Sequence, residues 1–273
     1  MKKRIITATI LIILFGGILI FGDGNLEFLF SAGVVLLATL GSYEFVVRCH
    51  RHKKQVLWYH FLTVALTGGF VLLNILLFDH SNYEKIILLS LFGLFFIYFI
   101  LYLTDSRMHR GELGVSLLTI IYTSLGFIAL AFLRRISLEM ILYLLIITIM
   151  TDTFAYFLGI RFGKHKLIPK VSPKKSIEGA ISGLVFGGGF GIAYALVFDV
   201  FANFDLNIFW IVILSLALSI VSQSGDLIAS KFKREVGIKD YSNIFPGHGG
   251  ILDRFDSTMF AAILLMLVVQ VIG

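Results

Sequence analysis

A single cysteine, Cys49, and three prolines are all that 273 residues hold of those two types, and only 15% of the chain is charged. One thiol makes no intrachain disulfide, so no redox framework holds this fold. Scarce proline leaves room for long uninterrupted helices. Soluble domains are roughly 45–50% apolar and about 25% charged. Here 58% of residues are apolar and the mean hydropathy is +0.93. The shortage of charge argues against a soluble core and for an all-α, polytopic membrane protein. Two catalytic signatures are also missing: there is no G-x-x-x-x-G-K-[ST] phosphate loop and no H-E-x-x-H helix. "GGGFG" at 187–191 lies inside an apolar run and reads as helix packing.

What is present is a series of apolar runs near the ~20 residues that cross a bilayer. Nine are expected, at 5–21, 26–47, 57–78, 85–104, 113–133, 137–160, 177–199, 206–230 and 257–272. The first follows a basic start, "MKKR", as a signal peptide would, but no small-x-small cleavage site follows it cleanly, so it reads as a retained span. Of 23 Lys and Arg residues, 20 fall in residues 1–4, 48–56, 105–112, 161–176 and 231–255, all on one side of the nine spans. Only Lys85, Arg134 and Arg135 fall on the other. That asymmetry places the N-terminus and the basic loops in the cytoplasm. The net charge of +6 then reflects topology and an attraction to anionic headgroups and solutes, not nucleic acid. Polar chemistry divides the chain. Residues 1–136 read as a transmembrane scaffold half and residues 137–273 as a catalytic half of one continuous membrane domain.

Acids in membrane spans are costly and usually face a cavity or a partner. Asp152 in "IIMTDTFAYFLG" and Asp226 in "SIVSQSGDLIAS" both lie near the cytoplasmic ends of their runs. Ser222, Asp226 and Ser230 follow one another at i, i+4 spacing, so one polar stripe runs along the end of the eighth span. Glu44 also lies in an apolar run but stands alone, and simple interfacial placement is the expectation for it.

The eighth run is followed by "KFKREVGIKDYSNIFPGHGGILDRFDS", with a basic cluster of Lys231, Lys233, Arg234 and Lys239. "PGHGG" supplies a turn with free backbone N–H groups. Asp253 and Asp256 then share a face at the start of the last helix. Helix N-termini favour anions. Two acids with a phosphate nearby call for a divalent cation, and Mg²⁺ takes one or two carboxylates with phosphate oxygens and water. A second basic element, "GKHKLIPKVSPKKSIEG", carries Lys174, Lys175 and Ser176 just before a helix beginning near Ile177. Lysines there can hold phosphate as point charges. Acids for a metal, bases for phosphates and a glycine-rich turn on one membrane face are the apparatus of phosphoryl or nucleotidyl transfer.

Ser230 to Asp256, "SKFKREVGIKDYSNIFPGHGGILDRFD", resembles the motif of the phosphatidate cytidylyltransferases (CDP-diacylglycerol synthases), bacterial type. The matching positions are Ser230, Lys233-Arg234, Lys239-Asp240, Pro246, His248-Gly249-Gly250, Asp253-Arg254 and Asp256. "SQSGDL", "TDTFAYFLGIRFGKHKL" and "SPKKSIEG" look like the same family, so the likeness is strong over about residues 148–257. Ala229 departs from it, since many bacterial members carry Glu after the "GDL" turn. The resemblance implies CTP and phosphatidate as substrates, CDP-diacylglycerol and pyrophosphate as products, and Mg²⁺ as cofactor, with room for a second cation. It implies an integral protein of the bacterial inner membrane with its active site facing the cytoplasm, and leaves a homodimer open. The roles expected on it are metal binding by Asp226, Asp253 and Asp256. Lys174, Lys175, Ser176, Ser222, Ser230 and Arg254 are expected to bind substrate. Asp152, Lys233, Arg234, Lys239, Asp240 and His248 are expected to be catalytic. Two alternatives remain at this point: another membrane transferase of nucleotide-linked or polyprenyl-phosphate substrates, and an ion-coupled transporter with Asp152 and Asp226 along its path.

Overall fold

The structure, a computed structural model, describes residues 16, 17, 19, 27–49, 57–204, 206–245, 247 and 249–272. Among them, eight helices are long and apolar enough to cross a membrane. They are α1 (Glu27–Cys49), α2 (Trp58–Leu77), α3 (Tyr83–Thr104), α4 (Arg110–Ile136), α5 (Leu138–Phe162), α6 (Ile177–Val197), α7 (Ile208–Glu235) and α8 (Leu252–Ile272). Each of the last eight expected runs meets one of these helices, and no end moves by more than five residues. The expected first run, 5–21, lies almost wholly outside the described residues. The chain is an all-α integral membrane protein.

Three helix starts are capped by the side chain of their own N-cap residue. Ser137 Oγ accepts the Met140 N–H at 3.0 Å, Ser176 Oγ that of Gly179 at 3.2 Å, and Asn207 Oδ1 that of Trp210 at 3.2 Å. Two departures from the expected elements matter for the site. The basic stretch before α6 is not a plain loop but a small antiparallel ribbon, β1 (Lys166–Ile168) and β2 (Ser172–Ser176). The basic cluster Lys231, Lys233 and Arg234 does not follow the eighth span but rides on it, because α7 runs on to Glu235. Charged residues end an apolar window without ending a helix. The helix stops where glycine permits it: Gly237, at φ +73°, donates to the Arg234 carbonyl (3.1 Å) and Ile238 to that of Lys233 (2.9 Å). Those are the paired bonds of a Schellman stop.

Two compact units divide the chain, residues 1–132 with 240–254 and residues 133–239 with 255–273. The segment 240–254 folds with the N-terminal unit. In that first unit α1 packs on α2, where Gly68 leaves room for the Thr39 hydroxyl. Buried polar pairs join its helices: Thr63 Oγ1 and Tyr98 Oη at 2.6 Å, and His60 Nε2 and Glu112 Oε2 at 3.2 Å. Such pairing answers the cost of polar groups in hydrocarbon.

In the second unit, α5, α6 and α7 pack closely. Gly179, Gly183, Gly187 and Gly191 form one buried face of α6. A Cβ at Gly183 would lie 2.8 Å from the Thr151 carbonyl oxygen and 3.0 Å from Ala155 Cβ, both on α5. Small residues at four-residue spacing let the two backbones touch. The outer face of the same helix, including Ile181, Val185 and Phe190, is exposed, as befits a surface that meets lipid.

Candidate active site

Of the expected stripe on α7, Ser222 is buried, while Asp226 and Ser230 are half-buried. The buried face of the helix runs through Ser215, Ser219, Ser222, Gly225, Ala229 and Lys233. Its upper part is interhelical glue: Ser215 Oγ meets Tyr143 Oη at 2.7 Å and Ser219 Oγ meets Thr151 Oγ1 at 2.8 Å, both on α5. Gln223 donates to the Ala180 carbonyl at 3.2 Å. Below Ser219 the stripe changes character. The Ser222 hydroxyl is fully buried and has no hydrogen-bond partner among the described residues. Gly225 then lets α8 come in, since a Cβ there would stand 2.7 Å from the Asp256 carbonyl oxygen and 2.8 Å from the Phe260 ring. The next residue is Asp226.

Close approach at Gly225 brings the Asp256 turn of α8 against α7, which carries Asp226. Asp152, Asp226 and Asp256, from three different helices, lie within electrostatic range of one another. Each has a side-chain partner. Lys175 Nζ reaches Asp226 Oδ2 at 2.5 Å, and Ser230 Oγ donates to Asp226 Oδ1 at 3.3 Å. Lys233 Nζ lies 3.4 Å from Asp256 Oδ2, with both side chains buried. Ser257 Oγ donates to Asp152 Oδ2 at 3.1 Å. Three acids and two lysines therefore form one alternating cluster near span ends. Ser257 and Gly225 were not singled out from sequence. The small residue immediately before Asp226 was the available signal for Gly225, and adjacency to Asp256 for Ser257.

The ribbon separates the two neighbouring lysines. Successive side chains on a strand point to opposite faces, so Lys175 turns to Asp226 whereas Lys174 is exposed. Ser176 is buried as the N-cap of α6. Arg234 is exposed and donates to the carbonyls of Ile238 (3.0 Å) and Val171 (3.3 Å), tying the end of α7 to the ribbon turn. Lys239 is exposed beyond it.

The rest of the motif folds in the first unit and is partnered differently. Asp253 Oδ2 accepts the N–H groups of Tyr241 (2.8 Å) and Gly250 (2.9 Å). Glu44 Oε1 accepts the Ser242 hydroxyl (2.5 Å) and the Ile251 N–H (3.0 Å), and its Oε2 accepts the Leu252 N–H (3.0 Å). The expectation of interfacial placement for Glu44 is thus overturned: it is 3% exposed and orders a loop. The expected free N–H groups of the turn are also corrected at Gly250, whose N–H is bound, because a buried donor needs an acceptor. Gly249, at φ +82°, sits where a side chain would be strained and would press on Asp253. Asp240 and Arg254 are exposed. His248, like Pro246, lies outside the described residues.

Carboxylates and hydroxyls are the hard oxygen donors that Mg²⁺ prefers. Among the described residues no group of three or more His, Cys, Asp and Glu side chains is spaced to hold a metal ion. Mg²⁺ needs only one or two carboxylates when phosphate and water complete its shell. The donor set of Asp226 and Asp256 fits that requirement, and lysines balance their charge in this structure. Asp253 is engaged by backbone donors instead.

A model of the cytidylyltransferase family matches residues 2–272. The chain is also similar to the phosphatidate cytidylyltransferase of Staphylococcus haemolyticus (strain JCSC1435), with 35% identity over 272 residues, 97% of each chain. The proteins of the same name from Staphylococcus epidermidis (strain ATCC 12228 / FDA PCI 1200) and Staphylococcus aureus (strain COL) are 34% and 35% identical, again over 97% of each chain.

Proposed function

The chain belongs to the cytidylyltransferase family, and from that premise we propose that it transfers the cytidylyl group of CTP to phosphatidate, giving CDP-diacylglycerol and pyrophosphate. The observation that carries this reading to particular residues is the cluster of Asp152, Asp226, Asp256, Lys175 and Lys233 at the ends of membrane spans. A lipid phosphate oxygen attacks the α-phosphorus of CTP. The bond from that phosphorus to the oxygen bridging to the β-phosphate breaks, and pyrophosphate leaves with the electron pair. Both reactants are anions, so catalysis is chiefly positioning and charge neutralisation. Lys175 and Lys233, now held by carboxylates, exchange those partners for phosphate oxygens. Arg234 and Lys239, exposed at the end of α7, are placed to receive the triphosphate. The nucleophile is a phosphate already ionised at neutral pH, so no general base is required. Bound Mg²⁺ would neutralise phosphate charge, and Asp226 and Asp256, supported by Asp152, are the residues that would hold it.

Phosphatidate is embedded in a leaflet and CTP is soluble, which suits a site at span ends. The Lys and Arg asymmetry supports a cytoplasmic site in a bacterial inner membrane. The test is direct. Purified protein with labelled CTP, Mg²⁺ and phosphatidate yields labelled CDP-diacylglycerol, and chelation with EDTA stops it. Failure to form that lipid, or nucleotide-independent solute uptake in liposomes, overturns the proposal.

A further inference from the structure

Glu44 is a buried carboxylate held by three hydrogen bonds, yet it lies on a helix far in sequence from the motif. Its three hydrogen bonds all go to segment 241–254: the Ser242 hydroxyl and the N–H groups of Ile251 and Leu252. Leu252 is the first residue of α8. A helix start has N–H groups without intrahelical partners and a partial positive charge, and a carboxylate satisfies both. Here the cap comes not from the chain just before the helix but from α1.

The seat is broader than one residue. Gly41, Glu44 and Arg48 fall on one face of α1, at i, i+3 and i+7. Arg48 Nε–H donates to the Tyr241 carbonyl at 2.9 Å. At Gly41 a Cβ would stand 3.1 Å from Leu252 Cδ2, so the missing side chain lets the start of α8 come in. Gly250 lacks a side chain where one would run into the Glu44 carboxylate. Phe45 adds a ring contact to Tyr241, with centroids 5.8 Å apart. The glycine-rich turn is therefore clasped from both sides, by Glu44 on Ile251 and Leu252 and by Asp253 on Tyr241 and Gly250.

We propose that Glu44 is a positioning residue for the transfer reaction: it sets the axial position and rotation of the first turn of α8, and Asp256 lies one turn further along that helix. This rests on the reading of the chain as a cytidylyltransferase acting through Asp256. An acid buried in an apolar span is costly, and here it is retained on a helix start rather than on a packing contact. Glu44 touches no reacting group. It acts through the backbone it holds.

Glu44→Gln keeps the volume and one acceptor but turns the other oxygen into a donor, which then faces a backbone N–H or the Ser242 hydroxyl. Two measurements on the purified full-length protein test the proposal. Hydrogen exchange by mass spectrometry reads peptides covering 241–254, and steady-state kinetics separates kcat from KM for CTP. The expected result is faster exchange at Ile251 and Leu252 and a kcat lowered about 10- to 100-fold, with KM for CTP close to wild type and a folded protein whose melting temperature is modestly lowered. Wild-type kcat in the folded variant overturns the proposal, as does unchanged exchange. Should Glu44→Gln not fold, Ser242→Ala decides: it removes one partner of the same carboxylate, a several-fold loss of kcat at wild-type stability is expected, and an unchanged kcat overturns the idea. A wild-type protein that forms no CDP-diacylglycerol overturns the activity reading and not the grip, which the exchange measurement judges by itself.

Discussion

Two groups of acids in and around the motif differ in the kind of partner they meet. In the first unit, Glu44 and Asp253 are met by backbone N–H groups of a glycine-rich loop. In the second, Asp226 and Asp256 are met by the ammonium groups of Lys175 and Lys233. Backbone donors are fixed by the fold and cannot leave without loop opening. Lysine is a flexible point charge that can change partners. The first group is accordingly suited to hold a shape, and on the proposed reading the second would exchange its lysines for a cation and phosphates. Residue type and spacing are nearly the same for Asp253 and Asp256, three positions apart in sequence, yet they fall on opposite sides of this division.

The largest effect that separates the two groups is expected at Asp256. Asp256→Asn preserves shape and removes a charge, so turnover should fall about a hundred-fold or more while thermal stability in detergent is kept. Near-normal turnover at limiting Mg²⁺ would falsify a direct role. Asp253→Ala should do the reverse. It strands two N–H donors, each worth about 1–3 kcal/mol when left unsatisfied, so the melting temperature drops before any loss specific to one substrate is visible. A stable, CTP-selective defect in that variant would move Asp253 into the second group.

The ribbon offers a finer contrast. Lys175→Gln removes the partner of Asp226 and should lower kcat/KM about tenfold. Lys174→Gln, on the exposed face, should change it less than about threefold. Equal losses measured side by side would mean that strand alternation does not sort these lysines. The smallest effect is expected at Ser222, whose buried hydroxyl has no partner among the described residues. Ser222→Ala should leave stability unchanged or raise it by up to about 1 kcal/mol, and a rise in KM for one substrate would identify what the hydroxyl meets.

Hydropathy placed the described spans to within a few residues, because transfer into lipid is a property of the local chain. The cost of an acid in an apolar run singled out Asp152 and Asp226, whereas Asp256 was singled out with Asp253 by spacing at a helix start. The dense run from Ser230 to Asp256 identified the chemistry. A packing role for the glycines at 187–191 was legible from their place inside an apolar run, and the partner helix, α5, was not.

What sequence alone determined was therefore local: where the described helices run, and which family motif lies between Ser230 and Asp256. Tertiary structure decided the partners. Glu44 and Leu252 are 208 residues apart, so nothing in either neighbourhood shows that one caps the other. Lys174 and Lys175 are adjacent, and only the pairing of β2 with β1 turns one toward Asp226 and the other outward. Whether a buried carboxylate meets a backbone donor or a lysine depends on which elements approach it, and that is set by helix packing through glycines such as Gly41 and Gly225 rather than by the acid's own sequence.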